Sequence, residues 1–143
     1  MALDTRSRQY NHTSVHTADR GKLLLMVYDV AISSLLDAQQ AMTSKDFQQK
    51  GQHMDRALRA LAELRKSLDM DKGREIARSL ERLYEFMMHR MTEANFNNQA
   101  GHLDVVVNIL QDLRETWSQV VQQQGVQSPE TTAVATPRAG FLA

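Results

Sequence analysis

Apolar residues crowd into one stretch near the start of the chain, Leu23-Leu-Leu-Met-Val-Tyr-Asp-Val-Ala-Ile-Ser-Ser-Leu-Leu36, where eleven of fourteen positions are hydrophobic. On a 3.6-residue period, Leu24, Tyr28, Ala31, Leu35 and Ala38 form one stripe, and Leu23, Val27 and Val30 form a second beside it. A surface helix of a bundle needs only one such stripe. Two stripes predict either a central helix or one that keeps a face for a partner. Asp29 and the Ser33-Ser34 pair interrupt the run, and a membrane span needs about 18 or more apolar residues, so membrane insertion is not expected.

Three more periodic segments follow. Phe47, Met54, Leu58, Leu61, Leu64 and Leu68 share one side of a second helix, opened by Ser44 or Asp46 as N-cap and closing near Asp69. Ile76, Leu80, Leu83, Met87, Met91 and Ala94 define the inward stripe of a third helix, with Tyr84, Met88 and Met91 as a neighbouring stripe. Leu103, Val106, Leu110, Leu113, Trp117 and Val120 define a fourth in strict three-four alternation, with Val105 and Ile109 alongside. The first helix is expected to start at Asp19, a good N-cap, and to end near Met42. Asp69–Gly73 reads as a turn that uses the freedom of Gly73 at positive φ, and Asn95–Gly101 reads as a loop. Nowhere does a period of two persist as a strand requires.

Four amphipathic helices joined by short links predict an all-α, antiparallel up-down-up-down four-helix bundle over residues 19–124. Residues 1–18 are polar and are expected to form a flexible N-terminal arm. In it Tyr10 is an isolated aromatic, suited to tucking into an apolar groove. Residues 125–143, with Gly125, Pro129, Pro137 and Gly140 and few charges, are expected to be a disordered tail.

Composition then narrows the function. Cysteine is absent and the N-terminus has no apolar signal core, which together point to the cytoplasm. Seventeen basic residues balance seventeen acidic ones, so there is no net field to attract nucleic acid. Recognition through apolar surface is expected instead, and eight flexible methionines suit it. No phosphate loop, dinucleotide fingerprint or nucleophile elbow occurs, so neither a cofactor nor an enzymatic activity is expected. His89 stands four residues from Glu85 and from Glu93. That spacing predicts a surface ion-pair ladder, because a bundle di-iron site needs a second Glu-x-x-His motif that the chain lacks. His89 is also the acceptor in the alternative reading, a signalling bundle that carries out histidine phosphotransfer. Asp29, set among apolar neighbours, is expected either to pair with an arginine of the second or third helix or to reach solvent.

Helices one, three and four each carry apolar residues beyond their inward stripe. A helix offers only so many core positions, so the excess predicts grooves for partner helices read at i, i+3, i+4 and i+7. The residues expected to face a partner are Val27, Val30, Tyr84, Met88, Met91, Val105 and Ile109, together with Tyr10 of the arm.

Several segments taken together resemble the flagellar export chaperone family FliS. They are Tyr10; Thr17-Ala18 and Leu23-Leu-Leu-Met-Val-Tyr-Asp29 with Ala31-Ile32; Ser67-Leu-Asp69; Gly73-x-Glu-Ile-Ala77 with Leu80 and Leu83-Tyr84; Met87 and Arg90; Glu93-Ala-Asn95; and Leu113-Arg-Glu-Thr-Trp117. Their order and spacing from Tyr10 to Val121 carry the match. The chain departs from the family at Asp19-Arg-Gly-Lys22, where Ser-Pro-x-Glu is common, and at Val30, where Gly usually follows Tyr-Asp. The resemblance implies a four-helix bundle that binds the disordered C-terminal segment of flagellin, prevents its premature polymerisation and presents it to the cytoplasmic part of the type III export gate. It also implies that the arm bearing Tyr10 covers part of the groove when cargo is absent. Exposed grooves of this kind also let two copies pair as a homodimer in the cargo-free state.

Overall fold

The computed structural model describes the backbone of residues 2–126 and the side chains of residues 20–123. Four α-helices make up the fold: α1 (Ala2–Ser44), α2 (Phe47–Lys66), α3 (Met70–Asn97) and α4 (Asp104–Val126), with one 3-10 turn, Ala100–Leu103, before α4. Among the described residues there is no strand.

Local chemistry sets the turns. Lys45 takes positive φ (62°), and the Asp46 carboxylate then accepts the Gln49 backbone N–H at 3.2 Å, which makes Asp46 the N-cap of α2. The Ser44 hydroxyl instead donates to the Ala41 carbonyl. Asp69 caps α3 by accepting from the N–H groups of Asp71 and Lys72. Because α3 already starts at Met70, the turn expected through Gly73 is shorter than the sequence implies. Gly73 is buried and donates helically to the Asp69 carbonyl at 2.8 Å, so positive φ falls one residue later, on Arg74 (φ 48°, ψ −119°), where α3 is kinked. At its other end α3 closes on Asn98 in the left-handed region, a conformation asparagine tolerates. Asn95 to Asn97, expected in a loop, are therefore helical.

The start of the first helix also needs correction. The helix does not open at Asp19 but runs unbroken from Ala2, so Asp19 lies inside it rather than at a cap. No proline stands nearby, and one glycine inside a helix costs about 1 kcal/mol, too little to stop it. The Tyr10 side chain and residues 127–143 lie outside what the structure describes.

Contacts along the helices give the topology. Gly21 lies opposite Val121, Asp29 opposite Arg114 and Gln39 opposite Asp104, so α1 and α4 are antiparallel. Arg65 meets Glu85 and Lys50 donates to the Asn95 carbonyl, so α2 and α3 are antiparallel as well. The bundle is the expected up-down-up-down one. Within it α1 packs extensively on both α2 and α4, whereas α3 and α4 make few close approaches. The dense apolar stretch thus belongs to the central helix.

Tyr28, Ala31, Leu35 and Ala38 of α1 are completely buried, as their stripe predicts. Met54, Leu61 and Leu64 of α2, Leu80, Met87 and Ala94 of α3, Leu103 of the 3-10 turn, and Val106, Leu110 and Trp117 of α4 close the core around them. Two inward assignments fail. Phe47 is 58% exposed, at the first turn of α2, with the Lys50 ammonium 5.0 Å from its ring centre. Ile76 is 46% exposed, two residues beyond the kink at Arg74.

Gly21 allows the closest approach of α1 to α4. A Cβ built there would lie 2.7 Å from Val121 Cγ2, and a β-branched side chain in a helix has little freedom to rotate away. Gly21→Ala is therefore expected to lower stability in the parent chain. In a Val121→Ala background the same change is expected to raise it by about 0.8–1.0 kcal/mol, the helix preference of Ala over Gly. Denaturant unfolding of the four proteins measures the sign in each background; the same sign in both would show that the two helices do not meet there.

Candidate partner-binding surface

An apolar groove of about 170 Å³ runs between α1 and α2, lined by Leu23, Leu24, Val27 and Leu64, with Arg20, Glu63 and Ser67 at its edges. Helical spacing brings this about. Leu23 and Val27 lie one turn apart on the side of α1 next to the core stripe, so they border α2 without being enclosed by it. Leu23 is 56% exposed and Met26 60%. A second apolar depression lies on α3, where Ile76, Leu80 and Leu83 follow one another between Glu75 and Ser79.

The residues expected to face a partner do not all lie at the surface. Val27 lines the groove. Val30, Met88, Val105 and Ile109 are half-buried and pack against the margin of the core. Tyr84 is only 2% exposed and Met91 not exposed at all. Those two are core residues, and their assignment to a surface groove is corrected. Tyr84 is held inward by its hydroxyl, which lies 2.6 Å from that of Tyr28, while Trp117 donates its indole N–H to the Tyr28 oxygen at 2.8 Å. Burial pushes the Tyr84 phenol up to about 12, against the pull of its hydrogen bonds. It drives Tyr28 higher still, where the neighbouring Tyr84 adds to the shift. A hydroxyl cluster in an apolar core is costly unless every member is bonded, and this one ties α1, α3 and α4 together.

Exposed apolar side chains that the sequence pattern did not single out include Leu36, Phe86 and Phe96. Phe96 carried a usable signal: it is the lone aromatic in the polar run 95–101. Asp29 does have an arginine partner, but on α4 rather than on α2 or α3. Arg114 grips both carboxylate oxygens, and its own pKa is raised chiefly by that hydrogen bond and also by the charge of Asp29. His89 pairs with Glu93 at 2.8 Å, one rung of the expected surface ladder, while Glu85 turns instead to Arg65. Among the described residues no helix is long and apolar enough to cross a membrane, and no cluster of three or more His, Asp or Glu is placed to hold a metal.

Residues 3–124 match the family model described as flagellar protein FliS. The flagellar secretion chaperone FliS of Bacillus subtilis is 30% identical over 124 residues, 87% of this chain and 92% of that protein. Those of Vibrio cholerae and Salmonella typhimurium are each 32% identical, covering 76% of this chain and 79% and 81% of theirs. The matched region takes in the whole bundle, including the α1 stretch and the Trp117 segment that carried the resemblance. The chain therefore belongs to the FliS family of flagellar proteins.

Proposed function

We propose that this protein is a cytoplasmic export chaperone that binds the C-terminal segment of flagellin along apolar surface of its bundle, keeps that segment from polymerising and hands it to the type III export apparatus. The observation that carries the reading is the surplus apolar surface of α1: Leu23 and Met26 stand open to solvent and Val27, half-buried, lines the groove beside the buried stripe of the same helix. Large exposed apolar patches on soluble proteins mark interaction sites. Membership of a family whose relatives are named secretion chaperones supports a secreted cargo. Val27, Val30, Met88, Val105 and Ile109, with Tyr10, are the residues we assign to that contact. The role needs no catalysis. Without cargo, the same surface lets two copies associate.

Calorimetric titration with a synthetic peptide from the C-terminal end of the host's flagellin tests the proposal. We expect one-to-one binding with a clearly negative heat-capacity change, the mark of apolar burial. Val27→Asp is expected to weaken it by more than about tenfold, since a carboxylate cannot be buried unpaired, with the helical circular dichroism retained. Absence of binding by folded, unassociated protein would remove flagellin as the partner. Unchanged affinity in Val27→Asp would move the contact away from the α1–α2 groove.

A further inference from the structure

We infer that Arg90 selects the cargo: the flank of α3 that carries Ile76, Leu83 and Arg90 takes an amphipathic helix with an Asp or Glu side chain in register with its apolar residues. The inference deepens the chaperone reading and rests on it, since the helix belongs to the cargo. It starts from a contrast. Two arginines among the described residues are half-buried, Arg114 and Arg90. Arg114 is answered by both carboxylate oxygens of Asp29. Arg90 takes part in no ion pair among the described residues, and its Nε is shut off from water with no hydrogen-bond partner. The acids nearest to it along α3 are engaged elsewhere, Glu93 by His89 at 2.8 Å and Glu85 by Arg65 at 2.8 Å. The guanidinium carbon lies 5.9 Å from the Phe86 ring centre, a contact that steadies the head group but offers it no acceptor. A buried donor without an acceptor weakens the fold that holds it, so its presence calls for a function outside that fold.

The surroundings of Arg90 say what kind of ligand supplies the acceptor. Glu81 marks the side of α3 that faces Arg65 of α2, and Arg90 stands half a turn round the helix from it. Arg90 therefore lies on the flank turned away from α2, and α4 makes few close approaches to α3 that would cover it. Ile76, Leu83 and Arg90 are seven residues apart, two helical turns each, and so fall in one line about 21 Å long. Ile76 is 46% exposed and shares with Leu83 an apolar depression of about 360 Å³. Phe86, equally exposed, stands beside Arg90. Helix-in-groove recognition reads apolar anchors at this spacing. A guanidinium at the end of the same line adds a requirement for charge. A wholly apolar helix would leave Arg90 covered and unpaired, and a basic one would be repelled. A helix whose carboxylate stands two and four turns from its apolar anchors fills the line and gives the guanidinium an acceptor that its planar fork fits.

A double-mutant cycle between the full chain and its cargo tests this. The probe is the C-terminal flagellin peptide with its terminal carboxylate amidated, so that side-chain acids alone are read, titrated calorimetrically. Arg90→Gln is expected to weaken binding at least about tenfold. Changing one particular Asp or Glu of the peptide to its amide is expected to weaken it equally, and both changes together should cost no more than either alone. Arg90→Met, which keeps an apolar stem against Phe86, is expected to lose the same affinity while the urea midpoint of the free protein stays level or rises. The inference is overturned if Arg90→Gln binds undiminished, if no single amide matters, if the two losses multiply, or if Arg90→Met unfolds at lower urea, which would make Arg90 a prop of the fold. Binding that ignores Arg90 sinks this inference alone, whereas failure of the peptide to bind the unaltered chain, with its terminal carboxylate free or amidated, sinks the chaperone reading and this inference with it.

Discussion

Replacing Trp117 with alanine is expected to cost about 3–5 kcal/mol of folding stability, the range for removing a large aromatic from a packed core. A domain of this kind holds only about 5–15 kcal/mol in total, so the variant should sit near the edge of unfolding at body temperature. The reasoning rests on position. Trp117 is 3% exposed, lies in the core shared by α1, α3 and α4, and gives its indole N–H to the Tyr28 hydroxyl that in turn meets Tyr84. Trp117→Phe separates the two contributions. It keeps most of the apolar volume and loses the donor, and should cost about 1 kcal/mol, the net worth of a hydrogen bond. Urea unfolding followed by far-ultraviolet circular dichroism provides the measurement, since the single tryptophan is itself the residue being changed. If phenylalanine proved as costly as alanine, the hydrogen bond rather than the packing would dominate. If alanine were harmless, the core as described would be wrong.

The second large effect is a loss of stability in alkali. In the unfolded chain Tyr28 and Tyr84 lose their protons near the ordinary value of 10.0, whereas in the fold burial holds Tyr84 protonated to about 12 and Tyr28 further. Below pH 10 both states carry the same protons and the fold keeps its full stability. Above it the unfolded state sheds protons that the folded state must keep, so stability falls as pH rises, by up to about 1.4 kcal/mol per pH unit for each tyrosine. Phenolate absorbance and helical circular dichroism, followed together through an alkaline titration, should show both buried tyrosines ionising only as the helices are lost. Tyr84→Phe should make the decline shallower. Ionisation of all three tyrosines near pH 10 with the helices intact would contradict it.

These effects centre on residues whose positions the sequence conveyed unevenly. The first stripe of α1 was legible because Tyr28, Ala31, Leu35 and Ala38 are regularly spaced and the helix runs straight through them. The second stripe of α3 was misleading. Met91 belongs to the inward stripe as well, and Tyr84 stands four residues after Leu80 and three before Met87, so both lie on the one face of α3 that the core buries. Periodicity also cannot say which helix lies opposite which. Asp29 needed a cation, but nothing in the spacing distinguished Arg114 from the arginines nearer in sequence. Of the α1–α2 groove, Val27 was readable as a position beyond the core stripe, while the edge contributed by α2 depended on how two helices cross.

The central place of α1 has a further consequence, for the order in which the protein can be made. Two of its hydrogen bonds, Tyr28 to Trp117 and Asp29 to Arg114, span 89 and 85 residues of chain. A ribosome adds about 5–20 residues per second, so the most apolar stretch of the molecule emerges several seconds before the helix that closes over it. Until then α1 can rest only on α2 and α3. During its own synthesis the molecule's most apolar stretch is thus exposed before the helix that covers it exists.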